Sequence, residues 1–130
     1  MQPFGILPHR QPFSMLDRVD LVEEGRLARG VKMITAGDSM VSADGGFPQC
    51  LVVEAMAQVS GIAAGRRGGS LFAAITGMVF SRGVRAGDVL EVEGLLERTI
   101  GPNCIFRCRA TVGAEQVAEG GIILHFDEAA

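Results

Sequence analysis

Few residues in this chain are able to do acid–base chemistry, and one of them sits where acids are rarely found. In "LVVEAMAQVSGIAA", residues 51–64, the polar side chains are Glu54, Gln58 and Ser60. Glu54 and Gln58 are four apart, so on a helix they share a face and form a candidate catalytic pair. A carboxyl taken out of water holds its proton more tightly, which suits a proton donor or a base working near neutrality. The plain alternative is an exposed glutamate near a helix start, favoured there by the helix dipole. Just upstream, "DGGFPQC", residues 44–50, puts Pro48 at the first turn with no Ser, Thr, Asp or Asn directly before it as a cap. The amides of Gln49, Cys50 and Leu51 are then open to a ligand oxygen. A helix start also stabilises a thiolate at Cys50. A catalytic cysteine needs a histidine partner, however, and His9 and His125 are both distant in sequence.

The elements that must position these residues follow from periodicity. Residues 49–64 read as the one strong helix, apolar nearly all round and therefore buried, with Gly65 closing it. "RQPFSMLDRVDLVEEGRLARGVKMIT" reads as two strands joined at Glu24-Gly25, and residues 33–48 as a loop. "LFAAITGMVF", residues 71–80, is a continuous apolar run of strand length, predicted to be buried on both faces. "DVLEVEGLLER" sets Leu90 and Val92 against Glu91 and Glu93, and "CIFRCRATV" sets Cys104, Phe106, Cys108, Ala110 and Val112 against Arg107, Arg109 and Thr111. "QVAEGGIILHF" supplies the last strand, with Gly120-Gly121 at a bulge or a close backbone approach. One apolar helix with five or six half-buried strands predicts an α+β fold, a curved antiparallel sheet wrapped around a central helix.

With 130 residues the chain is expected to form one domain over 1–130, and 48% apolar residues are enough for a core. A net charge of −3 argues against a general nucleic-acid binder. No apolar run is long enough to span a bilayer. "MQPFGILPHRQPF" lacks a basic region followed by an apolar stretch, so a cytoplasmic protein without membrane contact is expected. The three cysteines, 50, 104 and 108, are odd in number and form no CxxC pair, so neither a disulfide framework nor a zinc site is expected. Cys104 and Cys108 read as small apolar residues on one strand face. No cofactor or metal is called for.

Three stretches resemble one known family, the 3-hydroxyacyl-ACP dehydratases of fatty-acid biosynthesis, which adopt the hot-dog fold. "ILPHRQPFSMLDRVD" (6–20) is similar to the family's amino-terminal signature. "LVVEAMAQVSGIAA" (51–64) is similar to its central helix, and "MVFSRGVRAGDVLEVEGLLER" (78–98) to the strand, turn and strand that follow. The resemblance runs from about residue 6 to 124, in order. It implies a homodimer or higher oligomer whose sheets join edge to edge, with acyl pockets at the interface. It implies that Glu54, in the family's acid position, protonates the departing β-hydroxyl, with Gln58 one turn later. It implies that amides at the helix start hold the thioester carbonyl, and it marks Gly46, Phe47, Pro48, Cys50 and Phe80 as substrate-binding positions.

One departure bears directly on activity. The family carries a His in a Gly-His-Phe-Pro motif before the helix, supplied across the dimer to remove the α-proton. Here the matching stretch is "GGFP", Gly45 to Pro48, with Gly46 where the His would stand, and the loop is shorter. His9 belongs to the amino-terminal signature, structural in the family, and His125 to the last strand. Dehydratase activity is therefore expected to be weak or lost. Hydrolysis of an acyl-ACP or acyl-CoA by Glu54, and a non-catalytic dehydratase-like partner subunit, are the alternatives. Asp44 is a substitute acid or base only if it is more than a solvated turn residue. The partners expected are an acyl carrier protein or a coenzyme A thioester, with Arg66, Arg67, Arg82 and Arg85 the nearest clustered cations for docking an acidic carrier.

Overall fold

The computed structural model describes residues 15–65 and 70–126. Strands β1 (Arg18–Glu23) and β2 (Leu27–Met33) form a hairpin, followed by the short β3 (Gly46–Phe47), helix α1 (Gln49–Ala64), β4 (Ser70–Phe80) and the short β5 (Val84–Arg85). Strands β6 (Val89–Ile100), β7 (Asn103–Val112) and β8 (Glu115–Phe126) complete the chain as a meander. The main sheet has the order β1-β2-β6-β7-β8-β4 with every pairing antiparallel, and β3 pairs with β5 in a two-stranded ribbon. The helix packs on one face of the sheet, so the predicted architecture stands.

The helix begins and ends where its sequence signals lie. Pro48 is the cap residue and makes no side-chain cap hydrogen bond. At the other end Gly65 takes φ 68° and donates its amide to the Ile62 carbonyl, a left-handed stop that favours glycine. From Val52 to Ala63 every residue except Glu54 is buried. Opposite lie Leu90, Val92, Phe106, Cys108 and Ile122 from the inner face of the sheet, all fully buried. Each large aliphatic or aromatic side chain buried this way contributes about 1.5–3 kcal/mol. The alternation in β6 and β7 sends the residues predicted for the core inward.

The helix lies along the sheet in a fixed direction. Its last turn meets the β1–β2 turn, where the Gly25 amide donates to the Ala63 carbonyl. Its start meets the opposite end of the sheet, where the Ile34 amide donates to the Asp88 carbonyl, the Gly87 amide to the Ile34 carbonyl and the Ala86 amide to the Gly45 carbonyl.

Two expectations are corrected. Strand β4 is not buried on both faces: among the described residues it forms the edge of the sheet, pairs with β8 alone, and leaves Ile75 (48% exposed) and Val79 (63%) open. A continuous apolar run cannot distinguish a face covered by its own chain from one left for another surface. Residues 33–48 are not all loop either. Met33 ends β2, and Gly46-Phe47 pair with Val84-Arg85. A two-residue strand carries no periodicity to read. The expectation at Gly120-Gly121 holds. The β4–β8 register shifts between Thr76 and Val79, and a Cβ at Gly120 would lie 2.6 Å from the Met78 Cα. A side chain there would collide with main chain at the bulge.

Candidate active site

One face of α1 is open at its start and closes along its length. Cys50 is exposed, Glu54 half-buried, and Gln58 8% exposed, each four residues from the last, so exposure falls steadily along one helix face. Among the described residues Glu54 has no hydrogen-bond or ion-pair partner. Gln58, one turn further in, accepts a hydrogen bond from the Met15 amide on Oε1 at 2.7 Å. The spacing that put the two side chains on one face is thus realised, and their surroundings differ.

The helix start is held from below. Phe47 is buried and pairs with Val84, and Gly46 pairs with Arg85. Pro48 is exposed, and its carbonyl accepts the Leu51 amide at 3.0 Å and the Val52 amide at 3.4 Å. The Leu51 amide is therefore not open to a ligand, contrary to expectation, because the first helical turn closes on it. The amides of Gln49 and Cys50 donate to no described residue. Phe80, half-buried at the end of β4, packs against the core, and the Ser81–Gly83 connection leads from it into β5. Gly46, Phe47, Pro48 and Cys50 thus lie together at the helix start, while Phe80 pairs with Ala118 on β8, with three residues between it and β5.

Asp44 stands beside this start but is committed to a turn. Its Oδ1 accepts the Ser42 hydroxyl and the Gly46 amide, the latter at 3.0 Å, and its carbonyl accepts from Arg85. The Ser42 hydroxyl first, and then the Gly46 amide, hold its carboxyl below the usual aspartate range. A carboxylate stabilised in that way is a poor proton acceptor.

His125 is at the wrong end. Ser60, a turn and a half beyond Glu54, lies over Gly94 and touches Cys108, and His125 lies further along β8 in that direction, pairing through Nδ1 with Asn103 Oδ1 at 2.9 Å. His9 lies outside the described residues. Among the described residues, then, no imidazole approaches Glu54.

A family model described as a FabA-like domain matches residues 7–121. The chain belongs to the FabA-like family. Its relatives include the 3-hydroxyacyl-[acyl-carrier-protein] dehydratase FabZ of Listeria welshimeri, 40% identical over 129 residues, covering 91% of this chain and 88% of that protein. The FabZ of Bacillus subtilis is 38% identical over 125 residues, covering 88% and 87%. Among solved structures, the dehydratase heterocomplex ApeI:P from Xenorhabdus doucetiae superposes with a TM-score of 0.88 at 15% identity, over 99% of this chain and 93% of that one. A hypothetical thioesterase with coenzyme A from Streptococcus pneumoniae gives 0.73 at 11% identity, over 85% and 84%. At such identities these structures establish the shared hot-dog fold.

The cations of this FabA-like chain are mostly engaged where they are described. Arg82 bonds Asp88 and Glu115, each through one nitrogen at 3.1–3.2 Å, which removes it from the expected docking cluster. Arg66 and Arg67 lie outside the described residues, and Arg85 is tied to the Asp44 carbonyl. On the outer face of the sheet, Asp20, Arg29, Glu91, Glu93, Arg109 and Thr111 line a groove of about 260 Å³. Both of its guanidiniums are engaged by one carboxylate, Glu93 receiving Arg29 and Arg109 at 3.2 Å each. It faces away from the helix and from Glu54.

Two contacts escaped the sequence reading. The Met15 amide on Gln58 links positions 43 apart and leaves no local signal. The buried Ser60 Oγ–Cys108 Sγ contact at 3.2 Å had a partial one, since Ser60 and Cys108 each fell on a predicted buried face.

The described residues contain no helix long and apolar enough to cross a membrane.

Proposed function

We propose that this dehydratase-like protein binds 3-hydroxyacyl thioesters of acyl-chain metabolism, on an acyl carrier protein or coenzyme A, with Glu54 as its acid–base group. The observation that carries the reading is a half-buried carboxyl, unpaired among the described residues, on an otherwise buried helix one turn inside an uncapped start. Dehydration breaks the Cα–H and Cβ–OH bonds and forms a 2-enoyl thioester and water. In this reading Glu54 gives its proton to the departing hydroxyl, and the amides of Gln49 and Cys50 hold the thioester carbonyl, where added negative charge is favoured by the helix start. Phe47 and Phe80 bound the acyl chain.

The second half of the reaction lacks its group. With Gly46 where the family has its His, nothing described near Glu54 removes the α-proton. A positioned acid or base contributes on the order of 10²–10⁴-fold, so the chain by itself is a slow dehydratase with an intact pocket. The same lack favours a second reading, a dehydratase-like subunit that works beside a His-bearing homologue. Rates measured for the chain alone and mixed with a FabZ relative separate the two. A rise on mixing that exceeds the relative's own rate supports the second.

The assembly we infer is a two-fold dimer through β4. An edge strand whose outer side pairs with no described strand, and which carries exposed Ile75 and Val79, is a surface that proteins cover. Light scattering at micromolar concentration should give twice the chain mass, and a monomer there removes this part of the reading. A cytoplasmic place follows from the proposed role.

A further inference from the structure

We propose that Gln58 is a positioning residue: its side-chain carbonyl holds the Met15 amide and so fixes Met15–Asp17 against α1 one turn from Glu54. The inference rests on the acyl-thioester reading of Glu54 and goes beyond it, because it gives Gln58 a role through another part of the chain rather than through contact with substrate.

The residues that enter from the amino-terminal side are held at successive points. The Met15 amide reaches Gln58 Oε1 at 2.7 Å. The Asp17 amide donates to the Val31 carbonyl at 2.7 Å, and the Asp17 carboxylate accepts the Met33 amide at 2.6 Å. Between them Leu16 packs its methyl groups over Gly30, where a Cβ would come within 3.1 Å of them. Met15 and Leu16 are both buried, at 3% and 4% exposure. Two of these ties fasten the segment to β2. The Gln58 tie alone among them fastens it to the helix, one turn from Glu54 and on the same face.

A main-chain amide buried without an acceptor is costly, so the segment cannot leave Gln58 and stay buried. The glutamine oxygen thus holds Met15 one helix turn from the carboxyl. Loss of the tie should let Met15–Asp17 shift away from the helix face that carries Glu54, weakening acyl binding before it changes the chemistry at the carboxyl.

The test compares Gln58→Met, which keeps the length and loses the oxygen, with Gln58→Glu, which keeps an oxygen acceptor. Amide hydrogen exchange is read at Met15 and at the core amides of Val92 and Cys108. Kinetics or binding use a 3-hydroxyacyl pantetheine thioester. In the unmodified protein the Met15 amide should be protected far more than that of the exposed Gly37. In Gln58→Met, exchange at Met15 should rise about tenfold or more with Val92 and Cys108 unchanged. KM or Kd should rise by about the same factor, with kcat largely kept. Gln58→Glu should restore protection at Met15. An unprotected Met15 amide in the unmodified chain overturns the proposal whether or not the variants fold. Equal loss of binding in both variants with Met15 still protected also overturns it, since Gln58 would then touch the ligand itself. Absence of any thioester binding by the unmodified chain counts against the acyl-thioester reading, and exchange at Met15 still decides the tie.

Discussion

The two halves of α1 handle their polar residues in opposite ways. In the second half Ser60 is fully buried, meets Cys108 at 3.2 Å, and sits so close to the sheet that a Cβ on Gly94 would lie 2.5 Å from its hydroxyl and 3.0 Å from its Cα. The polar side chains there, Ser60 and Gln58, both meet partners within the chain. In the first half Glu54 is half-buried and has no partner among the described residues, and the adjoining amides of Gln49 and Cys50 are likewise unanswered. Both halves are apolar helix by sequence. The difference is that one is closed by glycine and cysteine on β6 and β7 and the other is left open. A polar group matched inside the chain stabilises the fold; one left half-buried and unmatched points to a ligand or a second chain.

The two halves should differ most at Glu54. Glu54→Gln should lower any thioester turnover by about 10²–10⁴-fold, with unfolding free energy within about 0.5 kcal/mol of the original. Steady-state kinetics and urea denaturation on one preparation check both halves of that statement. The reverse pattern is expected in the closed half. Gly94→Ala forces a methyl against Ser60 main chain and should destabilise by about 1–3 kcal/mol, read by denaturation, while thioester affinity in the folded fraction holds.

A smaller effect distinguishes the halves by pH. Burial pushes the Cys108 thiol up to about 11, partly countered by the Ser60 contact. The folded state holds that proton more tightly than the unfolded one. Its contribution is therefore complete below the unfolded value near 9 and is lost as pH rises through about 11. Stability should fall over that alkaline window, and Cys108→Ala should flatten the fall. The smallest effect is expected at Asp44. If its carboxylate serves only the Ser42–Gly46 turn, Asp44→Asn should leave turnover nearly unchanged, whereas loss of a working base would cost on the order of 10²-fold or more.

The sequence made the helix limits, the β1–β2 turn and the inward faces of β6 and β7 legible, because each rests on a local signal: Pro48 and Gly65 at the helix ends, Gly25 at the turn, alternation along the strands. Glu54 stood out for the same reason, an acid in an apolar run. What lay beyond local signals was lost. The exposed face of β4 depends on which strand ends up at the edge. The closure of the Leu51 amide depends on the conformation of Pro48, and the engagement of Arg82 depends on Asp88 and Glu115 arriving beside it. The Met15–Gln58 tie joins distant segments and could be found only once the chain was folded.

Whether the chain keeps an acyl site without its base is decided by the dehydration rate of the purified chain on a 3-hydroxyacyl-ACP, beside a His-bearing FabZ relative at equal concentration. Substrate binding with dehydration about 100-fold or more below the relative is the predicted result. Dehydration by the unaided chain at the relative's rate would contradict it.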